Sequence, residues 1–276
     1  MTLENLSTGG IDYLPCRYGK SKMMFRGPKG SLDRPYVAVL GGTEIYGKFV
    51  ELPLTDILGQ HSDHAFINLG HPNAGLDAFL GDPAVLDICA SAEMVVIEAP
   101  GAHNLSNRFY SVHPRRNDRF LKASSFLQSL YRDIDFAQFH YTRHLLHVLR
   151  ENSRDKFALV VDELQSAWVA RMRTLFGQIN NCVCLLWLSD HPIPAICPTD
   201  PLGHGPLFVD RAMMDELSEL ADAVVEVAGT REEIEAGQSR MLFAPMEEPV
   251  AREMLGPVVH ESAARQLQET LALFLD

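Results

Sequence analysis

Five short apolar runs set the pattern of this chain: Tyr36–Leu40, Ala65–Leu69, Met94–Ala99, Val183–Leu188 and Ala223–Val227. The first closes on Gly41-Gly42. Continuous apolar runs of this length, closed by glycine, are the habit of strands buried on both faces of a parallel sheet. Between the runs the period changes. Phe157, Val160, Val161, Leu164, Trp168, Met172, Leu175 and Ile179 recur at spacings of three and four, which predicts an amphipathic helix over 157–179. Ala264, Leu267, Leu271 and Leu275 draw a second stripe over 261–275. Asp82-Pro83 has the form of an N-cap followed by proline at the first helical position. Thr230 and Glu233 have capping-box spacing. Strands alternating with helices predict an α/β fold whose mainly parallel sheet is covered on both faces.

Residues 1–35 carry polar and glycine-rich patches without a period, and read as an extended arm packed on a single domain spanning 36–276. The stretch 101–156, between the third and fourth strands, reads as an elaboration holding extra helices. A chain of 276 residues is long enough for one large core, and 46% hydrophobic with 22% charged residues is an ordinary globular mixture. Charge narrows the picture more. A net charge of -12 argues against a general nucleic-acid binder and against adsorption to anionic membranes. The N-terminus is polar and no apolar run has membrane-spanning length, so a soluble, cytoplasmic protein is expected. Cys16, Cys89, Cys182, Cys184 and Cys197 lack the paired spacing of zinc sites. They read as small thiols of a reducing compartment, and no metal or other cofactor is expected. The expected partner is a small-molecule or carbohydrate substrate, and assembly into a homo-oligomer stays open.

In open parallel sheets the ligand lies at the carboxyl ends of the strands. The turns to read are therefore Gly41-Gly42-Thr43-Glu44, Gly70-His71-Pro72-Asn73-Ala74-Gly75, Pro100-Gly101-Ala102-His103-Asn104 and Ser189-Asp190-His191-Pro192. In order and position these turns, with Pro257-Val258-Val259-His260 before the last helical stripe, resemble the blocks of the SGNH (GDSL-type) hydrolase superfamily. More narrowly, the chain is similar to a divergent bacterial branch of it. The resemblance implies a three-layer α/β/α fold with a five-stranded, mainly parallel, flavodoxin-like sheet. It also implies an ester hydrolase or acyl transferase, with Thr43 in the nucleophile position, His260 as general base and Asn104 as oxyanion donor. Backbone N–H groups around Gly42 and Thr43, and at Asn73 or Gly75, would be the companion donors. Three residues depart from the pattern: Thr43 replaces serine, Gly42 the aspartate beside it, and Pro257 the aspartate that orients the histidine. Glu44, Glu247 and Glu261 are candidates for the missing acid.

Each candidate also has a structural role open to it. Thr43 suits a helix N-cap, Glu44 a helix N-terminus, and Asn104 a turn in left-handed geometry. His103 and His191 lie in post-strand turns and are secondary substrate-binding candidates. The segment 107–119 brings together Arg108, Arg115, Arg116 and Arg119. Such guanidinium groups suit an anionic substrate, such as an acidic sugar, or pairing with the chain's 36 carboxylates. Arg26 is a candidate to reach the site from the arm. His140, His144 and His147 share one helical face, which reads as a solvated or half-buried face. Two further readings stay open: a ligand-binding or scaffold protein that kept the fold without the chemistry, and a transferase of sulfuryl or glycosyl groups that uses the arginine segment as a clamp.

Overall fold

The computed structural model describes residues 10–199, 202–203 and 205–275. Its strands in chain order are β1 (Tyr36–Gly41), β2 (Ala65–Gly70), β3 (Met94–Glu98), β4 (Tyr110–His113), β5 (Arg116–Ala123), β6 (Val183–Ser189) and β7 (Ala223–Ala228). Five of them form one parallel sheet in the order β2-β1-β3-β6-β7, the doubly wound arrangement of flavodoxin-like folds. Side chains alternate across it. Ala38, Leu40, Ile67, Val95, Ile97, Leu185 and Trp187 face one layer, which includes the helices Pro83–Ala90 and Arg154–Ile179. Val37, Val39, Val96, Leu186, Val225 and Val227 face the other, which includes the helices Leu54–Gln60 and Pro257–Leu271. The fold is α/β in three layers.

The long helix follows its stripe: all eight residues from Phe157 to Ile179 named above are buried. Ser153 caps its start, and Asn180, in left-handed geometry, ends it. Midway along, Trp168 Nε1 donates to the Pro100 carbonyl at 2.7 Å, which ties the turn after β3 to this helix. Asp82 caps the helix Pro83–Ala90 through Ala84 N–H and Val85 N–H. Its other oxygen takes the Ser21 hydroxyl at 2.8 Å, so one carboxylate both starts a helix and anchors the arm. The Thr230–Glu233 capping box is present.

In the arm, Tyr18, Met23 and Phe25 are buried in the main core. The Arg26 guanidinium is buried as well. It donates to the Gly47 and Glu51 carbonyls, each at 2.7 Å. The first nine residues lie outside the described ones. The elaboration at 101–156 differs from expectation, since it opens with the antiparallel hairpin β4–β5 before the helices Ser125–Leu130 and Thr142–Asn152. Tyr110 and Val112 do alternate inward, but the strand is four residues long and its register slips on both sides of Val112, which hides the period of two. The cysteines are free thiols, and burial pushes Cys182 up to about 11 and Cys184 and Cys197 to about 12. No helix among the described residues is long and apolar enough to cross a membrane.

Trp168→Ala removes a fully buried indole and its bond to Pro100. It is expected to lower unfolding free energy by about 3–5 kcal/mol in urea titration, and Trp168→Phe by clearly less.

Candidate functional site

The chain leaves β1 for β2 on one side and then crosses to β3 on the other, so the exits of β1 and β3 form the topological switch point. A cleft of about 640 Å³ opens there. Its floor comes from Gly42, Thr43 and Glu44 after β1, Asn73 after β2, Glu98, His103 and Asn104 at and after β3, and Ser189 and Asp190 at the end of β6. Its walls include Tyr141, Thr142, Arg143 and the segment Arg252–Leu255.

The turn after β1 is a single helical turn, Thr43–Tyr46, and three side chains from distant segments hold it. Glu98 Oε2 accepts Gly42 N–H at 2.6 Å. A Cβ at Gly41 would collide with that same oxygen, so glycine is what lets the carboxyl lie against the turn. Asn68 Nδ2 donates to the Ile45 carbonyl at 2.7 Å, and Arg26 holds Gly47 just beyond. Thr43 Oγ1 accepts Asn73 N–H at 3.1 Å, with Asn73 in left-handed geometry at φ 58. Thr43 N–H, at the first helical position, has no acceptor within its helix and none among the described residues. Asn104 Oδ1 takes the Thr142 hydroxyl at 2.7 Å, which leaves Asn104 Nδ2 without a partner among the described residues.

Burial raises Glu98 from the ordinary carboxyl value to about 7, against the opposing effect of the Gly42 and Ile45 N–H groups. Burial first, and the neighbouring Glu98 charge second, raise Glu44 to about 8. Glu44 Oε2 accepts Leu255 N–H at 3.2 Å, and no hydrogen bond joins the two carboxyls among the described residues. His103 is pushed down to about 3 by burial and by Arg143, so it stays a neutral imidazole, its buried Nδ1 without a partner among the described residues. No group of three metal-binding side chains occurs among the described residues.

The structure therefore brings Thr43, Glu44, Gly42, Asn73, His103 and Asn104 together, but it places the other expected residues elsewhere. His260 is fully buried and does not line the cleft. Its Nδ1 accepts Leu54 N–H at 3.2 Å, so it supplies the acceptor that Pro53 lacks at the start of the helix Leu54–Gln60. Burial holds it near 3, uncharged. Three expected oxyanion donors are already occupied: Gly42 N–H by Glu98, Asn73 N–H by Thr43, and Gly75 N–H by Asn117 Oδ1 at 2.7 Å. Gly75 serves close packing instead, because a Cβ there would collide with the Asn104 carbonyl. His191 lies outside the cleft lining, with Nδ1 2.7 Å from Asp190 and 2.8 Å from Ser189 Oγ.

None of the four arginines lines the cleft. Arg108 pairs with Glu163, Arg116 pairs with Asp118, Arg119 stacks 4.2 Å over the Tyr141 ring, and Arg115 is exposed in the β4–β5 turn. The segment contributes Asp118 to the cleft lining instead, beside the acidic Glu44, Glu98 and Asp190. His140, His144 and His147 are exposed.

Sequence reasoning passed over Glu98, Asp190 and Arg143. Glu98 had a signal, as the one ionisable residue in the apolar run Met94–Ala99, placed at the strand's ligand edge. Arg143 had none, because only the fold of the elaboration brings it to the cleft.

Both glutamates sit above 4.5, their ordinary value, in the folded chain. The folded state then holds protons that the unfolded chain has released. The associated stability is complete below about pH 4.5 and is lost as pH climbs to about 8. Urea midpoints are expected to fall between about pH 5 and about pH 8.5, and the fall to shrink in the double variant Glu44→Gln/Glu98→Gln.

Among solved structures, the chain resembles a lipase, Lip_vut3, from a goat rumen metagenome. The TM-score is 0.40 at 12% identity, over 86% of this chain and 97% of that one. The fold class rests on the sheet order described above. No curated protein matches the chain. The family described as "Domain of unknown function (DUF6473)" matches residues 1–275, and the chain belongs to that family.

Proposed function

We propose that this protein is an SGNH-like ester hydrolase or acyl transferase acting on a small or carbohydrate-linked substrate. One observation carries the reading: the Thr43 hydroxyl shares a switch-point cleft with two donors that have no partner among the described residues, Thr43 N–H and Asn104 Nδ2. Acyl transfer needs a nucleophile and, beside it, donors for the oxygen that becomes negative as the carbonyl is attacked. The companion donors at Gly42, Asn73 and Gly75 drop out of the scheme. So does His260 as base. The four arginines of the segment 107–119 lie outside the cleft lining, so they give no ground for an anionic substrate.

A second reading, a ligand-binding protein on the same scaffold, is favoured by the withdrawal of His260 and by the three occupied N–H groups. Turnover of a panel of 4-nitrophenyl and sugar acetate esters separates the two. In the enzyme, Thr43→Ala abolishes turnover, Thr43→Ser retains it, and Asn104→Ala lowers kcat by about 100- to 1,000-fold. His260→Ala loses about 1–3 kcal/mol of stability with its cap to Leu54 and keeps kcat/KM. A wild type that binds ester-like ligands in the cleft and turns none over is the binding protein.

A further inference from the structure

We propose that Tyr141 is the platform on which the substrate stacks, and that the stacked group is an uncharged sugar ring carrying the ester. The assignment rests on the acyl-transfer reading and names the group to which the scissile ester is attached.

Tyr141 lines the cleft and keeps 44% of its surface open, although a large aromatic side chain gains nothing from water. Three contacts hold it there. The Arg119 guanidinium lies 4.2 Å over the ring and covers one face. The main chain of Tyr141 pairs with Arg119 in an antiparallel bridge. Its carbonyl accepts Leu145 N–H at 3.1 Å, which fixes it as the residue that starts the helix Thr142–Asn152. The next residue, Thr142, is buried and donates to Asn104 Oδ1 at 2.7 Å. The ring is therefore one residue away from the hydroxyl that orients the Asn104 amide. A ligand resting on it lies in the same cleft as Asn104 Nδ2 and Thr43.

The polar groups that share the lining suit hydroxyls. The Asn73 side-chain amide, Asn104 Nδ2 and the Tyr141 hydroxyl have no hydrogen-bond partner among the described residues. An amide sets a donor beside an acceptor, the complement of two adjacent hydroxyls. The guanidinium groups of the lining are engaged with the protein. Arg143 Nη2 donates to the Leu202 and Gly203 carbonyls at 3.3 and 2.7 Å, and Arg252 pairs with Glu248 at 2.6 Å. What the wall offers a ligand is an aromatic face with uncharged amides and a hydroxyl in the same cleft. A sugar ring matches this: its C–H face is apolar and packs on the aromatic ring, while its hydroxyls project from the edge.

The test compares monoacetates of methyl glucoside, galactoside, mannoside and xyloside with ethyl acetate, which has the same acyl group and no ring. The wild type is expected to prefer at least one sugar acetate. Tyr141→Ala is expected to cut that kcat/KM about 10-fold more than the value for ethyl acetate, chiefly through KM, and Tyr141→Trp to retain the preference. Where Tyr141→Ala does not fold, NMR of the wild type with the parent methyl glycosides decides. The ring of Tyr141 shifts the C–H protons of a stacked sugar upfield, and unshifted protons overturn the platform. No preference for a sugar acetate, equal loss on both kinds of ester, or tighter binding of adenosine than of the methyl glycosides also overturns it, and leaves the acyl-transfer reading standing. A wild type that turns over no ester but binds a methyl glycoside, with binding lost in Tyr141→Ala, overturns acyl transfer and keeps the platform. A wild type that neither turns over the esters nor binds the glycosides overturns both.

Discussion

The hydrogen bond from Gly42 N–H to Glu98 Oε2 joins the exits of β1 and β3 across the switch point, and the cleft is organised around it. A carboxyl at the end of a buried strand meets little water and no adjacent cation, so its charged form is costly. The amide offsets part of that cost, and a raised proton affinity answers the rest. The constraint spreads outward. Residue 41 must be glycine for the carboxyl to reach the turn, and Gly42 N–H is withdrawn from any ligand. The neighbouring Glu44 is raised further because Glu98 is beside it. Thr43 stays in the cleft lining beside both glutamates, its N–H without an acceptor among the described residues.

Much of the fold was legible because parallel strands and amphipathic helices leave periodic marks. The five apolar runs, the 157–179 stripe and the caps at Asp82 and Thr230 all have counterparts in the structure. The β4–β5 hairpin was hidden by its bulges and by arginines whose composition drew attention away from its pattern. At the site, the turn after β1 and the place of Asn104 could be read from position alone. The fate of individual N–H groups could not, since Gly42, Asn73 and Gly75 are occupied by side chains that lie 56, 30 and 42 residues away. His260 shows the same limit: a histidine preceding a helical stripe looks alike whether it serves catalysis or completes a neighbouring helix.

Polar side chains, more than apolar packing, set the loop positions around the cleft. Asn117, fully buried, accepts Gly75 and Ala78 N–H groups and donates to the His113 carbonyl, so one amide fixes the helix after β2 and the hairpin to each other. Asn68 does the same for the turn after β1 and the helix Leu54–Gln60, through Ile45 and Thr55. Such bonds are directional, so they specify where a loop sits as well as that it is held.

The Arg26 guanidinium extends this network into the N-terminal arm. It gathers the Gly47 and Glu51 carbonyls into one buried knot, and Tyr13 from the same arm accepts Phe49 N–H with its hydroxyl. The arm and the turn carrying Thr43 therefore lean on the same buried bonds, so a change that frees the arm also removes the partners of Gly47 and Phe49 that steady the chain just beyond Thr43.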